Sequence, residues 1–148
     1  MKLLYGNLWK VKADFRGITT NGFVKNSGAA VMGRGVALQA RQKFPGLDFI
    51  VGEIIQTKGN HVALIDSLGL FIFPVKHNWY EKADLYLIER SAKELKEIAE
   101  SLPSQIFVMP VPGIGNGRLE LSTVWPILQL CNLPNNIIVV LYNKAIVL

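Results

Sequence analysis

Apolar and polar positions follow two rhythms along this chain, and each rhythm implies a different backbone. Val36, Ala37, Ala40 and Phe44 recur at steps of three and four, which predicts an amphipathic helix over Arg34–Phe44, stopped at Pro45. The clearest helix spans Ala83–Leu102, where Leu85, Ile88, Ala92, Leu95, Ala99 and Leu102 form one stripe. Asp84 falls in its first turn, where the helix dipole favours an acid. Glu89/Lys93 and Lys96/Glu100 stand four apart on its wet side. Leu47–Thr57 predicts another short helix, although its branched residues also suit a strand. Ser122 is expected to cap a helix holding Val124, Trp125, Ile127 and Leu128, with Pro126 tolerated near its first turn.

Short apolar runs bounded by Gly, Pro or Asn predict strands. These are Leu3–Trp9 (interrupted by Gly6-Asn7), Phe15–Thr20, His61–Asp66, Leu70–Val75, Gln105–Met109 and Asn136–Tyr142. Ser67-Leu68-Gly69 joins two of them in a hairpin-like turn, and the run Ile137–Leu141 suits a strand buried on both faces. Strands alternating with helices give an α/β class. Crossover helices make much of the sheet parallel and cover both of its faces. Ligands of such sheets bind beyond the carboxyl ends of the strands. With no repeat, linker or low-complexity tract, the 148 residues read as one domain.

Composition narrows the class. Half the residues are hydrophobic and 18% are charged, which excludes disorder. Cys131 is the sole cysteine, so no internal disulfide forms, and with two histidines a Cys/His zinc site is not expected. Gly, Asn and Lys interrupt the first residues, a poor signal peptide, and no run of about 18 apolar residues offers a membrane span. The expectation is a cytoplasmic protein with no membrane association, acting as a monomer. Charge is uneven: residues 1–43 carry eight Lys or Arg against Asp14 alone, and residues 44–148 carry eight against ten acids. A basic first third suits a polyanion or phosphate-bearing ligand, or is simply a solvated face.

Two glycine-bearing loops follow strands and precede helices: Asn26–Gly35 and Pro112–Arg118. Glycine admits positive φ and close backbone approach, so successive N–H groups can converge on an anion. The alternative is a pair of ordinary tight turns. Neither loop is a P-loop, and Arg118 stands where a dinucleotide fingerprint needs its third glycine. Lys76 emerges from the apolar run Phe71–Val75. A lysine there either snorkels to water or is desolvated into a nucleophile or acid/base. Asn21 either fixes a ligand hydroxyl or bonds its own turn. Tyr142 either stacks on a base or is a core aromatic with a wet hydroxyl. His77 reads as surface and Cys131 as a buried apolar residue.

Three segments together carry a resemblance: Val31-Met32-Gly33-Arg34-Gly35-Val36-Ala37, Phe73-Pro74-Val75-Lys76 and Pro112-Gly113-Ile114-Gly115-Asn116-Gly117-Arg118-Leu119. In order and spacing, from Gly6 to Tyr142, the chain resembles the macro domain family of ADP-ribose-binding modules. Within it, the nearest pattern is the branch of terminal ADP-ribose protein glycohydrolase and the antitoxin-type DNA ADP-ribosylglycohydrolases. The resemblance implies a three-layer α/β/α sandwich with a mixed, largely parallel sheet. It implies an ADP-ribose site built from Thr20 and Asn21, Val31, Met32, Gly33 and Gly35, and Pro112, Gly113, Ile114, Gly115, Asn116 and Gly117. Leu8 would belong to the same site, Asn21 would sit beside the distal ribose, and Tyr142 would lie near the adenine end, with Asn7 where many members carry an adenine-binding acid. Lys76 matches a lysine associated with cleavage of the ADP-ribose linkage, which makes an ADP-ribosylglycohydrolase the expected activity. No cofactor or metal is implied. The protein-directed member pairs its lysine with an acid where this chain has Gly117, whereas the DNA-directed members lack that acid. A non-catalytic ADP-ribose reader is the alternative. The expected partner is an ADP-ribosylated macromolecule, DNA ahead of protein.

Overall fold

In the computed structural model, residues 1–142 are described. Six strands form one sheet in the order β1-β6-β5-β2-β4-β3. They are β1 (Lys2–Tyr5), β2 (Phe15–Asn21), β3 (Ala63–Ile65), β4 (Leu70–Lys76), β5 (Phe107–Pro110) and β6 (Ile137–Leu141). All neighbours are parallel except β3, which returns antiparallel on β4 as the expected hairpin. The helices are α1 (Gly35–Lys43), α2 (Leu47–Lys58), α3 (Leu85–Ser101) and α4 (Leu121–Leu130).

The sheet separates two cores, and β4 shows why its apolar run is continuous. Leu70 and Ile72 face α1 and α2 with Ile18, Ala40, Leu47 and Val51. Phe71, Phe73 and Val75 face α3 and α4 with Ile88, Leu95, Val124 and Leu128. Alternate residues of a strand point to opposite faces, so a strand covered on both sides is apolar throughout. The layers are therefore α/β/α, as expected. At Gly17 on β2, an added Cβ would lie 2.4 Å from the Phe71 ring and 2.8 Å from Met109 Cβ, so the second core closes only over a glycine.

Strands β3 and β5 start two residues later than the expected His61–Asp66 and Gln105–Met109, and three further differences have a local cause. The first strand stops at Tyr5, because Asn7 Oδ1 accepts the Trp9 N–H at 2.9 Å and starts a 3-10 turn over Leu8–Lys10. Asp84 precedes α3 as its N-cap and takes the Tyr86 N–H. Ser122 lies inside α4, whose N-cap is Glu120.

Two features shape the carboxyl edge of the sheet. Pairing between β5 and β2 covers only Phe15–Phe107 and Arg16–Val108, although the strands run on to Pro110 and Asn21. The sheet thus parts at the middle of that edge, where open α/β sheets bind ligands. Between β2 and β4 the register shifts after Thr20–Pro74, so Asn21 pairs with Lys76 and Val75 is the extra residue. The bulge sets Asn21 and Lys76 opposite each other at the strand ends.

Candidate functional site

Every residue assigned to the expected ADP-ribose site lies at or just beyond the carboxyl end of one of the five parallel strands, or in the turn or glycine loop that follows it. Gly6 and Asn7 follow β1, Tyr142 follows β6, the second loop follows β5, Asn21 ends β2 and Lys76 ends β4. With adjacent strands about 4.8 Å apart, the row from Asn7 to Lys76 is about 20 Å long.

The first loop is held in place by backbone and amide contacts. Asn21 Nδ2 donates to the Val31 carbonyl at 3.0 Å, and its Oδ1 accepts the Phe23 N–H at 3.0 Å. Asn21 therefore bonds its own turn and also pins the loop, leaving one N–H and one lone pair unassigned. The Ala30 N–H donates to the Asp48 carbonyl at 2.8 Å, laying the loop along α2. Met32 is buried in the core beneath it, and Gly33, Arg34 and Gly35 are exposed. Gly35 has φ +56°.

The second loop turns through Gly113 (φ +84°) and Gly115 (φ +71°) into a 3-10 turn over Gly115–Gly117. Arg118 follows at φ +62°, a conformation in which a side chain is strained. Pro112, Gly113 and Gly117 are buried, Ile114 is half-buried, and Gly115 and Asn116 are exposed. The two loops meet: a Cβ on Gly35 would stand 2.7 Å from Asn116 Nδ2.

Lys76 joins them. Its Nζ donates to the Asn116 carbonyl at 3.1 Å and to the Trp79 carbonyl at 3.4 Å. Partial burial lowers its pKa, with further lowering from the Arg118 and Arg34 charges. The amine is thus partly buried and bonded to two loop carbonyls, within reach of one positive charge from each glycine loop, and does not simply snorkel away. No single stretch of sequence signals the convergence of Arg34, Lys76 and Arg118. His77 is exposed, as expected, but its Nε2 pairs with Asp84 Oδ2 at 2.9 Å, a contact that residue types seven apart did not announce.

At the other end, the Gly6 N–H donates to the Leu141 carbonyl, tying Asn7 to the approach of Tyr142. Leu8 is buried against Val108 and Val140, with Val36 of α1 alongside. Tyr142 is 63% exposed, so it is not a core aromatic. Thr20 is buried on β2 with no hydrogen-bond partner for its hydroxyl. Part of the basic first third is structural. Arg16 donates to the carbonyls of Leu8 and Val11, and both Arg16 and Lys43 lie over the Trp9 ring. Cys131 is buried, and burial raises its pKa. Among the described residues, no group of His, Cys, Asp and Glu could hold a metal ion, and no helix is long and apolar enough to cross a membrane.

No family model and no curated protein matches the chain by sequence. Solved structures do match it over nearly its whole length. The macrodomain of Thermus aquaticus DarG superposes with a TM-score of 0.74 at 24% identity, covering 97% of both chains. The macrodomain of Mycobacterium tuberculosis DarG gives 0.74 at 23% identity, over 96% of this chain and 97% of that one. This chain has the macrodomain fold. Thermosipho africanus DarTG, solved in complex with ADP-ribose, shares that fold with a TM-score of 0.76 at 17% identity. There the macrodomain match covers 97% of this chain and 42% of the other.

Proposed function

We propose that the protein binds ADP-ribose along the carboxyl edge of its sheet. It then hydrolyses the bond between the terminal ribose and a macromolecule, nucleic acid ahead of protein. One observation carries this reading: Lys76 Nζ is bonded to Asn116 of the second glycine loop, and the same residue touches Gly35 of the first. An amine and two glycine loops come together at the carboxyl edge of the sheet, one strand over from where it parts. The fold shared with a protein solved with ADP-ribose supports the ligand class. The row of strand ends is long enough for an extended dinucleotide-sized ligand. Arg34 and Arg118 suit its diphosphate, and backbone N–H groups of the glycine turns add donors.

Hydrolysis adds the elements of water across the glycosidic bond. C1″ takes hydroxide, and the leaving nitrogen or oxygen takes a proton. Burial and the neighbouring guanidiniums bias Lys76 toward its neutral form. A neutral amine can attack C1″ with release of the macromolecule, after which water frees the ribose and restores the amine.

A reader without chemistry is the second interpretation, and Gly117 favours it. The position carries no acid, and a Cβ there would lie 3.0 Å from Ala83 Cβ, leaving little room for one. Calorimetry with free ADP-ribose and turnover of ADP-ribosylated single-stranded DNA and peptide test both. Lys76→Ala is expected to keep its ADP-ribose affinity and lose about 10²- to 10⁴-fold in turnover. An absence of binding heat in the unaltered protein overturns the ADP-ribose reading. Binding without turnover on either substrate leaves the reader.

A further inference from the structure

Trp79 and Tyr80 lie three and four residues beyond Lys76, where its strand ends, yet neither side chain joins a core. They are 51% and 62% exposed. Their carbonyls, by contrast, are bonded, one by Lys76 and one by the second glycine loop, which also binds the chain three residues on at Ala83. Lys76 Nζ donates to the Trp79 carbonyl at 3.4 Å, and Arg118 Nη2 donates to the Tyr80 carbonyl at 3.3 Å. The Ala83 N–H donates to the Gly117 carbonyl at 2.9 Å. The segment is therefore anchored at the reacting end of the cleft while its two rings stand in water.

The rings pack edge to face, with centroids 5.5 Å apart and planes at 89°. With both rings more than half exposed, this arrangement can offer a ring face to a planar ligand. The local charge is positive, because the Arg34 and Arg118 charges both reach Lys76. Glu81 and Asp84 keep their charges, bonded to Asn78 and His77, but Lys76, Lys82, Arg34 and Arg118 outnumber them. Aromatic faces beside cations suit single-stranded nucleic acid, whose bases stack and whose phosphates need positive charge.

We propose that Trp79 and Tyr80 form a stacking platform for bases flanking the modified nucleotide of an ADP-ribosylated single-stranded DNA, next to Lys76. The proposal deepens the ADP-ribosyl reading above and rests on it for the identity of the modified nucleotide. The glycine loops take the ADP-ribose, and the platform takes the polymer.

The test uses the full chain and its Trp79→Ala/Tyr80→Ala double variant. The probes are free ADP-ribose, an oligothymidylate with and without ADP-ribose, and an ADP-ribosylated peptide. Both side chains are exposed, so the variant should fold, which circular dichroism verifies. Free ADP-ribose affinity should be unchanged, since truncation leaves both anchoring carbonyls in place. Affinity for the ADP-ribosylated oligonucleotide should fall about 5- to 150-fold for each stacked base. Unmodified oligothymidylate should quench tryptophan fluorescence, and Trp79→Phe should remove that signal. Equal binding of the modified oligonucleotide by both proteins overturns the proposal, as does an equal loss on the peptide. Ring-dependent oligothymidylate binding without ADP-ribose heat would uphold the platform and remove the ADP-ribosyl reading. ADP-ribose heat without any ring effect would do the reverse.

Discussion

Gly52 offers a sharp test of how the first glycine loop is supported, because two expectations for its replacement have opposite signs. It lies within α2, where alanine normally stabilises by about 1 kcal/mol over glycine. Here an alanine Cβ would stand 1.9 Å from the Gly28 carbonyl oxygen, 3.0 Å from its carbon and 3.1 Å from the Ala30 nitrogen. All three atoms are backbone, so no side chain can swing aside. The loop must retreat by about an ångström, and the hydrogen bond from the Ala30 N–H to Asp48 breaks with it. Overpacking costs about 1–3 kcal/mol and the lost bond about 1 kcal/mol, against the helix gain of about 1 kcal/mol. Gly52→Ala should therefore destabilise by about 1–3 kcal/mol, a fall of about 2–12 °C in melting temperature for a chain of this size. ADP-ribose affinity should fall by about tenfold or more, because Val31–Gly35 move with the loop. Calorimetric melting with and without ADP-ribose reads both effects. Gly6→Ala is the control, since a Cβ there meets nothing within 4 Å. If Gly52→Ala melts at or above the unaltered protein, the loop does not depend on that contact and the reasoning fails.

Asp84→Asn removes a charge while leaving an oxygen able to cap α3. The hydrogen bond from His77 lowers the Asp84 pKa below its ordinary 3.8, so the carboxylate's stabilisation is complete above that value. It disappears as pH falls through the lower folded value. The variant should be up to about 1 kcal/mol less stable at neutral pH, and denaturant melts should converge with the unaltered protein in acid. For Lys76, burial and the two arginines disfavour the ammonium in the fold, so its penalty is present at neutral pH and is relieved as pH rises through the lowered value. Lys76→Met should stay within about 1 kcal/mol of the unaltered protein or exceed it, by denaturant melts at neutral pH. A loss above about 2 kcal/mol would make this lysine a structural residue.

Periodicity made the layers legible, because a sheet covered on both faces demands continuous apolar strands and striped helices. It failed where a side chain overrides the pattern. Leu8 and Trp9 continue the apolar run of the first strand, but the Asn7 amide turns the chain before them. Ser122 has the chemistry of a cap, yet the Leu119 N–H closes the second loop on the Gly113 carbonyl, and α4 starts earlier, from Glu120. The glycine loops were legible because their turns use positive φ at Gly28, Gly35, Gly113 and Gly115. The influence of the Arg34 and Arg118 charges on Lys76 was not, because it depends on which strands become neighbours. Nor was the Trp79–Tyr80 pair, since exposed rings leave no period.

Pro74 explains how an amine can be presented firmly between pliable glycine turns. Proline is rare in a central strand because it lacks an N–H for the ladder. Yet β4 is central only on its β2 side, where pairing runs through to Lys76, while β3 pairs only with Leu70, Phe71 and Ile72. Beyond Ile72 the other side is open, and its carbonyls are met by side chains. The Ser91 hydroxyl of α3 donates to the Pro74 carbonyl at 2.7 Å, and Asn60 Nδ2 donates to the Lys76 carbonyl at 3.0 Å. Those bonds satisfy groups that would otherwise be costly to bury, and they fix the last turn of strand independently of either glycine loop. The lysine backbone is thus set by the sheet, by Asn60 beyond α2 and, through Pro74, by α3, whereas its Nζ is held by loop carbonyls. A ligand entering between the loops would exchange those carbonyls for its own oxygens without disturbing the strand beneath, the preorganisation a reacting amine needs.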